Sequence, residues 1–277
     1  KLMATSEQVE FYKENGYLLL ENVFTPEEMK KAKQAETDLW KTVEAGGNTL
    51  NATWPGRWQQ VDQYKDVVKK NDKVLSVHNV QNHNVVFTEM LFNKSLNSVV
   101  ADLMPDKRVC LHHTKLHKKP PKEGCPFPMH QDYPYFPHKR DSLIAAVIYL
   151  DDAKVENGCM YVVKGSHKNG AADSLQAKDY YYLDPDKYFA SDATPIEAKS
   201  GSVLLISYFT YHGSYPNESE RSRSVLIHQL MSPSDEYTKK VHISPGRGLM
   251  LWGGSIVDEK AVFQTRGYDP HAVEDAK

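Results

Sequence analysis

From residue 108 onward the chain is written in short β-rich runs, at 109–118, 142–150, 159–163, 202–209 and 223–231, each bounded by turn residues. Several alternate apolar and polar positions, and none is long enough for a buried helix. This texture confines the C-terminal half to a β-sandwich or open barrel. The first hundred residues read helical with one early strand. Thr5 and Gln8 form a capping-box pattern for a short helix ended by Gly16, and Tyr17-Leu18-Leu19-Leu20 reads as a strand. Thr25-Pro26-Glu27-Glu28 opens a second helix. Met29, Ala32, Leu39, Trp40 and Val43 then recur at helical spacing to about residue 44. Residues 45–64, with Gly46-Gly47, Asn51, Trp54, Pro55-Gly56 and Trp58, read as a long loop. A helix from about Val85 to Met104 is stopped by Pro105.

No repeat or Gly/Ser linker separates the halves, so 1–277 reads as one domain. It has a helical portion to about 107, a β core over about 108–232 and a C-terminal extension. Charge argues against polyanionic partners: 34 Lys and Arg face 36 Asp and Glu, a net charge of -2, so neither nucleic acid nor an anionic membrane is expected to bind through bulk electrostatics. Mean hydropathy of -0.59 and the lack of a long apolar run predict no spanning helix. Cys110, Cys125 and Cys159 form no CxxC pair, which excludes a disulfide framework or a cysteine zinc knuckle. Lys1 and Leu2 ahead of Met3 read as an appended remnant, and Glu274-Asp275-Ala276-Lys277 is no Ser-Lys-Leu peroxisomal address. An intracellular, cytoplasmic protein is the expectation.

The chemistry-bearing pattern starts at Met129-His130-Gln131-Asp132, the only H-x-D or H-x-E in the chain. In an extended segment, residues two apart share a side, so this imidazole and carboxylate can converge. With 12 His and 19 Asp in 277 residues, about 0.8 H-x-D pairs arise by chance, so alone it is a weak signal. The run 202–209 then leads to His212-Gly213-Ser214, and Arg223 opens the next strand. Two His and one Asp form the facial set that holds non-haem Fe(II) and leaves positions open. A forked, permanently charged guanidinium suits the far carboxylate of a chelating co-substrate.

The ordered motifs resemble the phytanoyl-CoA dioxygenase family of Fe(II)/2-oxoglutarate oxygenases. They are Lys119-Pro120-Pro121, Pro128 to Asp132, Tyr135-Phe136-Pro137, Asp141-Ser142-Leu143-Ile144, Glu156-Asn157-Gly158-Cys159, Gly165-Ser166-His167-Lys168 and His212-Gly213-Ser214, with Asn217 and Arg223. The resemblance covers about residues 110–230 and implies a double-stranded β-helix, jelly-roll or cupin-like, mainly β with N-terminal helices. It implies His130, Asp132 and His212 as Fe(II) ligands, and Arg223, with Ser214, as partners of 2-oxoglutarate. Lys115 and Asn79 fall where the family contributes co-substrate contacts, although close relatives carry lysine at the position of Asn79. An intact Asp132 favours hydroxylation over halogenation. The implied reaction consumes O2 and 2-oxoglutarate to hydroxylate a C–H bond of a small molecule. A lipid-like acyl chain or its CoA ester is the first expectation; natural-product, amino-acid-derived and phosphonate substrates are the alternatives. Rival readings are a silent β-sandwich that binds a ligand and a cupin-type zinc hydrolase.

Each remaining feature has a plainer counterpart. His112, His113 and His117 read as partly exposed strand histidines, with a second metal site as the sharper reading. His167, Gly158 and Gly165 read as turn residues. Lys118, Lys119, Lys122, His138, Lys139 and Arg140 form either a basic mouth for an anionic substrate or a solvated face. Trp54, Trp58 and the Asp179-Tyr180-Tyr181-Tyr182 insert line or cover a pocket, or simply pack.

Overall fold

A computed structural model describes residues 3–46, 54–69, 72–239 and 243–254. Capping chemistry shapes its N-terminal part. Thr5 and Gln8 exchange bonds in a complete box that opens α1 (Ser6–Asn15), and Gly16 ends it at a φ of 78°. β1 (Tyr17–Leu20) follows, and Thr25 with Glu28 repeats the box ahead of α2 (Pro26–Ala45). The stretch 54–65 is wound into a short turn at Arg57–Gln60 and α3 (Asp62–Lys65); Gly47 and Asn51 lie outside the described residues.

Two expectations for this half need correction. Leu75–His78 forms a strand, β2, rather than helix. The single helix expected to Met104 is two, α4 (Val85–Leu91) and α5 (Lys94–Leu103), because Asn93 leaves helical geometry and its side chain caps the Leu96 N–H at 2.9 Å. Met104, preceding Pro105, is extended as a residue before proline must be.

The β half comprises β3 (Val109–Lys119), β4 (Phe127–His130), β5 (Ile144–Tyr149), β6 (Met160–Val162), β7 (Ser174–Ala177), β8 (Tyr180–Leu183), β9 (Thr194–Ile196), β10 (Val203–Ser207), β11 (His212–Ser214), β12 (Arg223–Met231) and β13 (Met250–Trp252). They assemble into two antiparallel sheets with interleaved chain order: β1-β10-β5-β12-β3-β13, with β2 also on β3, faces β4-β11-β6-β9. This is the jelly-roll, cupin-like double-stranded β-helix. β7 and β8 form a separate hairpin.

Alternation along the strands divides the large sheet's faces. Ile144, Ala146 and Ile148 of β5, with Leu226 and Leu230 of β12, join the core beneath α2, α4 and α5. Ala145, Val147, Tyr149 and Val225 face the small sheet with Met160 and Val162. Both faces are covered, which is why β5 reads as a continuous apolar run. α2 is also pinned by polar contacts: buried Glu36 meets Lys33 at 2.5 Å, Trp40 Nε1 at 3.1 Å and Ser224 Oγ of β12 at 2.5 Å. Lys33 continues the network to Asp151 at 2.9 Å.

One irregularity matters for the site. On β12, Gln229 pairs with His113 and Leu230 with Leu111, so His112 is an extra residue in β3. The bulge re-aims its side chain. Without it, His112 and His113 would point to opposite faces; with it, both line the interior.

Candidate metal and co-substrate site

Between the sheets lies a cavity of about 530 Å³. Register places two of its histidines together: His212 of β11 pairs directly with His130 of β4, and their ring centroids are 4.2 Å apart. Asp132 enters from the turn after β4. Ligand atoms of His130, Asp132 and His212 lie within 4.8 Å of one another, and all three side chains are buried. Among the described residues no other His/Cys/Asp/Glu group meets that geometry, so the strand histidines form no second metal site.

Backbone carbonyls orient both rings. His130 Nδ1 is 2.9 Å from the Pro128 oxygen, and His212 Nδ1 is 2.8 Å from the Thr210 oxygen. Each Nδ1–H donates, leaving each Nε2 lone pair free on the cavity side. Burial, followed by the neighbouring His212, pushes the His130 pKa well down, which keeps the ring neutral and able to ligate. At Asp132 burial pulls upward, but Lys115, the two imidazoles and a hydrogen bond from Gln229 outweigh it and hold the carboxyl below its ordinary value. Gln229 Nε2 donates to Asp132 Oδ2 at 2.6 Å. Two imidazoles, each with Nδ1 on a backbone carbonyl, and a carboxylate, all converging, are a donor set that fits Fe(II).

Arg223 and Ser214 lie in the same cavity wall. The Arg223 guanidinium donates through Nη2 to the Gly158 carbonyl, while its Nε and the Ser214 Oγ are buried with no partner. Two orphaned donors in one cavity fit a carboxylate. Gly158 is left-handed (φ 87°) at the end of a short turn, and this directs its carbonyl to Arg223. Lys115 also lines the cavity, between His113 and His117 on the inner face of β3.

Other expectations divide. Asn79 does not reach the cavity wall: left-handed at φ 54°, it starts a short turn and anchors it by donating its backbone N–H to Thr114. His112 and His113 are buried, not partly exposed, because the bulge turns both inward. Lys118, Lys119, Lys122, His138, Lys139 and Arg140 form no single basic face. Lys119 is buried with its amine on the Tyr215 carbonyl, Lys122 pairs with Glu220 at 2.8 Å, and Lys139 pairs with Glu236 at 2.8 Å. The tryptophans split: Trp54 lines the cavity edge-on to His130 at 4.3 Å, whereas Trp58 is core and donates Nε1–H to the Trp54 carbonyl at 2.9 Å. The hairpin β7–β8 brings Tyr180 to the cavity and ties the Tyr181 backbone to Tyr135 Oη at 2.9 Å. His167 is a turn residue bonded to the Lys13 carbonyl at 2.9 Å, outside the cavity.

Sequence reasoning missed Gln229 and Tyr237. Period-two alternation from Arg223 was a sufficient signal for Gln229; nothing local marked Tyr237, which reaches the cavity from beyond β12.

Against known proteins, the model of the phytanoyl-CoA dioxygenase (PhyH) family matches residues 12–225. Phytanoyl-CoA dioxygenase 1 of Oryza sativa subsp. japonica is 25% identical over 85% of this chain and 92% of that protein. A probable alpha-ketoglutarate-dependent hypophosphite dioxygenase of Stutzerimonas stutzeri is 26% identical over 80% of this chain and 77% of its own length. Among solved structures, the apo non-heme monooxygenase ThoJ superposes with a TM-score of 0.70 at 17% identity, covering 94% of this chain and 93% of that one.

Proposed function

The chain belongs to the phytanoyl-CoA dioxygenase (PhyH) family, and from that premise we propose that it is an Fe(II)- and 2-oxoglutarate-dependent oxygenase that hydroxylates a C–H bond of a small organic molecule. The buried convergence of His130, Asp132 and His212 in one cavity with Arg223 carries this reading. His130 and His212 would hold the metal through Nε2, and Asp132 through the oxygen that Gln229 does not occupy. Bound there, iron supplies the redox chemistry that couples 2-oxoglutarate decarboxylation and O2 reduction to oxidation of a C–H bond. The protein's part is placement. Arg223 and Ser214 receive the distal carboxylate of 2-oxoglutarate, and their buried position excludes water that would compete for it. Gln229 keeps Asp132 in one rotamer and charged. Trp54 packs edge-on against His130 and shields it.

The unpartnered Arg223 Nε favours this reading over a zinc hydrolase, which has no work for a second buried anchor, and the intact His130, Asp132 and His212 set argues against a silent sandwich. The three free, buried cysteines suit a reducing compartment, hence an intracellular and cytoplasmic setting. Among the described residues no helix is long and apolar enough to cross a membrane. We propose a single domain for 1–277; the apolar cluster that the described helices and β core share supports it.

The test is an anaerobic titration of metal-free protein with Fe(II), then 2-oxoglutarate, followed by visible absorption. A weak charge-transfer band, lost in Arg223→Ala at matched concentrations, is expected. Bound iron with no band would refute the co-substrate assignment.

A further inference from the structure

The cavity's two ends differ in chemistry. Around Arg223 and Ser214 the wall is mostly aliphatic, with Val225, Met160 and Val147, and His117 opposite Val225 is its one imidazole. Past Asp132 and Gln229 it becomes a wall of hydrogen-bonding groups, His113, His112 and Tyr237, with exposed His78 at the rim; Lys115, opposite Ile227 of β12 and next to His113 on the same face of β3, stands between the two ends. The bulge in β3 creates this wall, since it turns two successive histidines inward.

The polar groups are wired together. Tyr237 Oη is 2.6 Å from His112 Nε2, and His112 Nδ1 is 2.6 Å from His113 Nδ1. The Arg247 guanidinium lies over the Tyr237 ring at 4.3 Å, a cation backing the chain. One Nδ1 of the histidine pair must donate and the other accept. If Tyr237 donates to His112 and His112 to His113, the remaining nitrogen of His113 carries a proton, on a ring that lines the cavity. An anion there selects that arrangement over the reverse. Burial pushes His112 down to about 3 and His113 well down, so both rings act as neutral donors.

Charge points the same way. Iron, the Asp132 carboxylate, doubly charged 2-oxoglutarate and Arg223 together cancel. Lys115, which makes no hydrogen bond or ion pair among the described residues and whose field already acts on Asp132, leaves the site one positive charge in excess. Asp132 is the only carboxylate in the described wall. An alkyl chain laid across Lys115 and the imidazoles would strip them of water and offer no partner in return.

We infer that this end seats a negatively charged oxygen group of the substrate, a carboxylate or phosphonate, held by Lys115 and His113, with His112 and Tyr237 as positioning residues. The substrate is then a small organic acid rather than a long acyl chain. This rests on the oxygenase reading.

The test loads the full chain anaerobically with Fe(II) and 2-oxoglutarate and adds propylphosphonate, butyrate or neutral butyramide. Binding is read by calorimetry and by the shift of the charge-transfer band. The acids should bind about tenfold or more tighter than the amide, and whichever acid binds better identifies the group. Lys115→Met should remove that preference while 2-oxoglutarate affinity stays within about threefold. Tyr237→Phe, which keeps the ring beneath Arg247, should weaken the acids and leave the amide unchanged. Equal binding of acids and amide, or no binding of the acids although the 2-oxoglutarate band forms, overturns the inference alone. So does a Lys115→Met variant that loses 2-oxoglutarate as severely as the acids, because the lysine then serves the co-substrate. Failure of the 2-oxoglutarate band itself removes the oxygenase reading and the inference with it.

Discussion

Gln229→Met separates the metal site from the fold. The Gln229 amide donates to Asp132 Oδ2 at 2.6 Å, and both residues are buried. A hydrogen bond to a charged acceptor contributes about 1.5–3 kcal/mol. At about 1.4 kcal/mol per decade this is about 10- to 100-fold in metal affinity, the range found when a group orienting a metal ligand is lost. The fold should hardly notice. Gln229 Oε1 is buried without a partner, and removing an unsatisfied carbonyl returns about 1–3 kcal/mol, close to what the lost bond takes away. Methionine also nearly conserves side-chain volume. The assay is calorimetric titration of metal-free protein with Mn(II), a redox-inert stand-in for Fe(II), alongside thermal unfolding. Weakened metal binding with a melting temperature close to wild type is expected. Wild-type affinity in a folded variant would refute the idea that Gln229 holds Asp132 for the metal.

Other substitutions probe the surroundings. Gly158→Ala forces a β-carbon into a left-handed residue, 2.7 Å from the Tyr215 carbonyl oxygen, and displaces the carbonyl that anchors Arg223. It should cost about 1–2 kcal/mol from the backbone alone and weaken 2-oxoglutarate binding, as measured by calorimetry and thermal melts. Glu36→Ala strands the Trp40 N–H and the Ser224 hydroxyl while Lys33 keeps Asp151; a loss of about 1–3 kcal/mol in urea unfolding is expected, with metal affinity unchanged. His228, on the face of β12 away from the cavity, is pushed by burial from 6.5 to about 3. Between those values the unfolded chain binds a proton that the native state refuses, so this group lowers stability as pH falls. The slope is about 1.4 kcal/mol per pH unit. His228→Leu should flatten the stability profile between about pH 6 and about pH 5 by that amount, and an unchanged slope would contradict a neutral native His228.

Much of the fold was legible because it is written in local chemistry. Both capping boxes, the Gly16 stop and the five principal β runs follow from spacing and turn residues. What escaped depends on partners distant in sequence. β2 is a strand because the edge of β3 is available to it, and its four residues carry no alternation strong enough to announce that. The helix break at Asn93 is a capping event inside an otherwise helical pattern. At the site, His130, Asp132, His212 and Arg223 were visible from residue type, order and family resemblance. Their meeting in one cavity follows from the pairing of β4 with β11 and the sheet opposite. Asn79 lies off the cavity wall, and position in a motif says nothing of the left-handed backbone found there. The inward turn of His112 has no mark in the sequence, because a bulge is a property of two paired strands.

That bulge makes the cavity unevenly editable. Deleting His112 would leave Leu111 opposite Leu230 and His113 opposite Gln229 in an uninterrupted ladder, with every other side chain on its present face. Loss of a single codon could therefore remove one polar group from the outer wall without re-registering the strand. No comparable change is open at the other end, where β3 runs unbroken from His113 to Lys119 against Gln229 to Arg223 and any deletion would invert the alternation that aims the guanidinium. Heritable variation in what this enzyme accepts is thus channelled to one end of the barrel, while the co-substrate anchor is insulated from it by register.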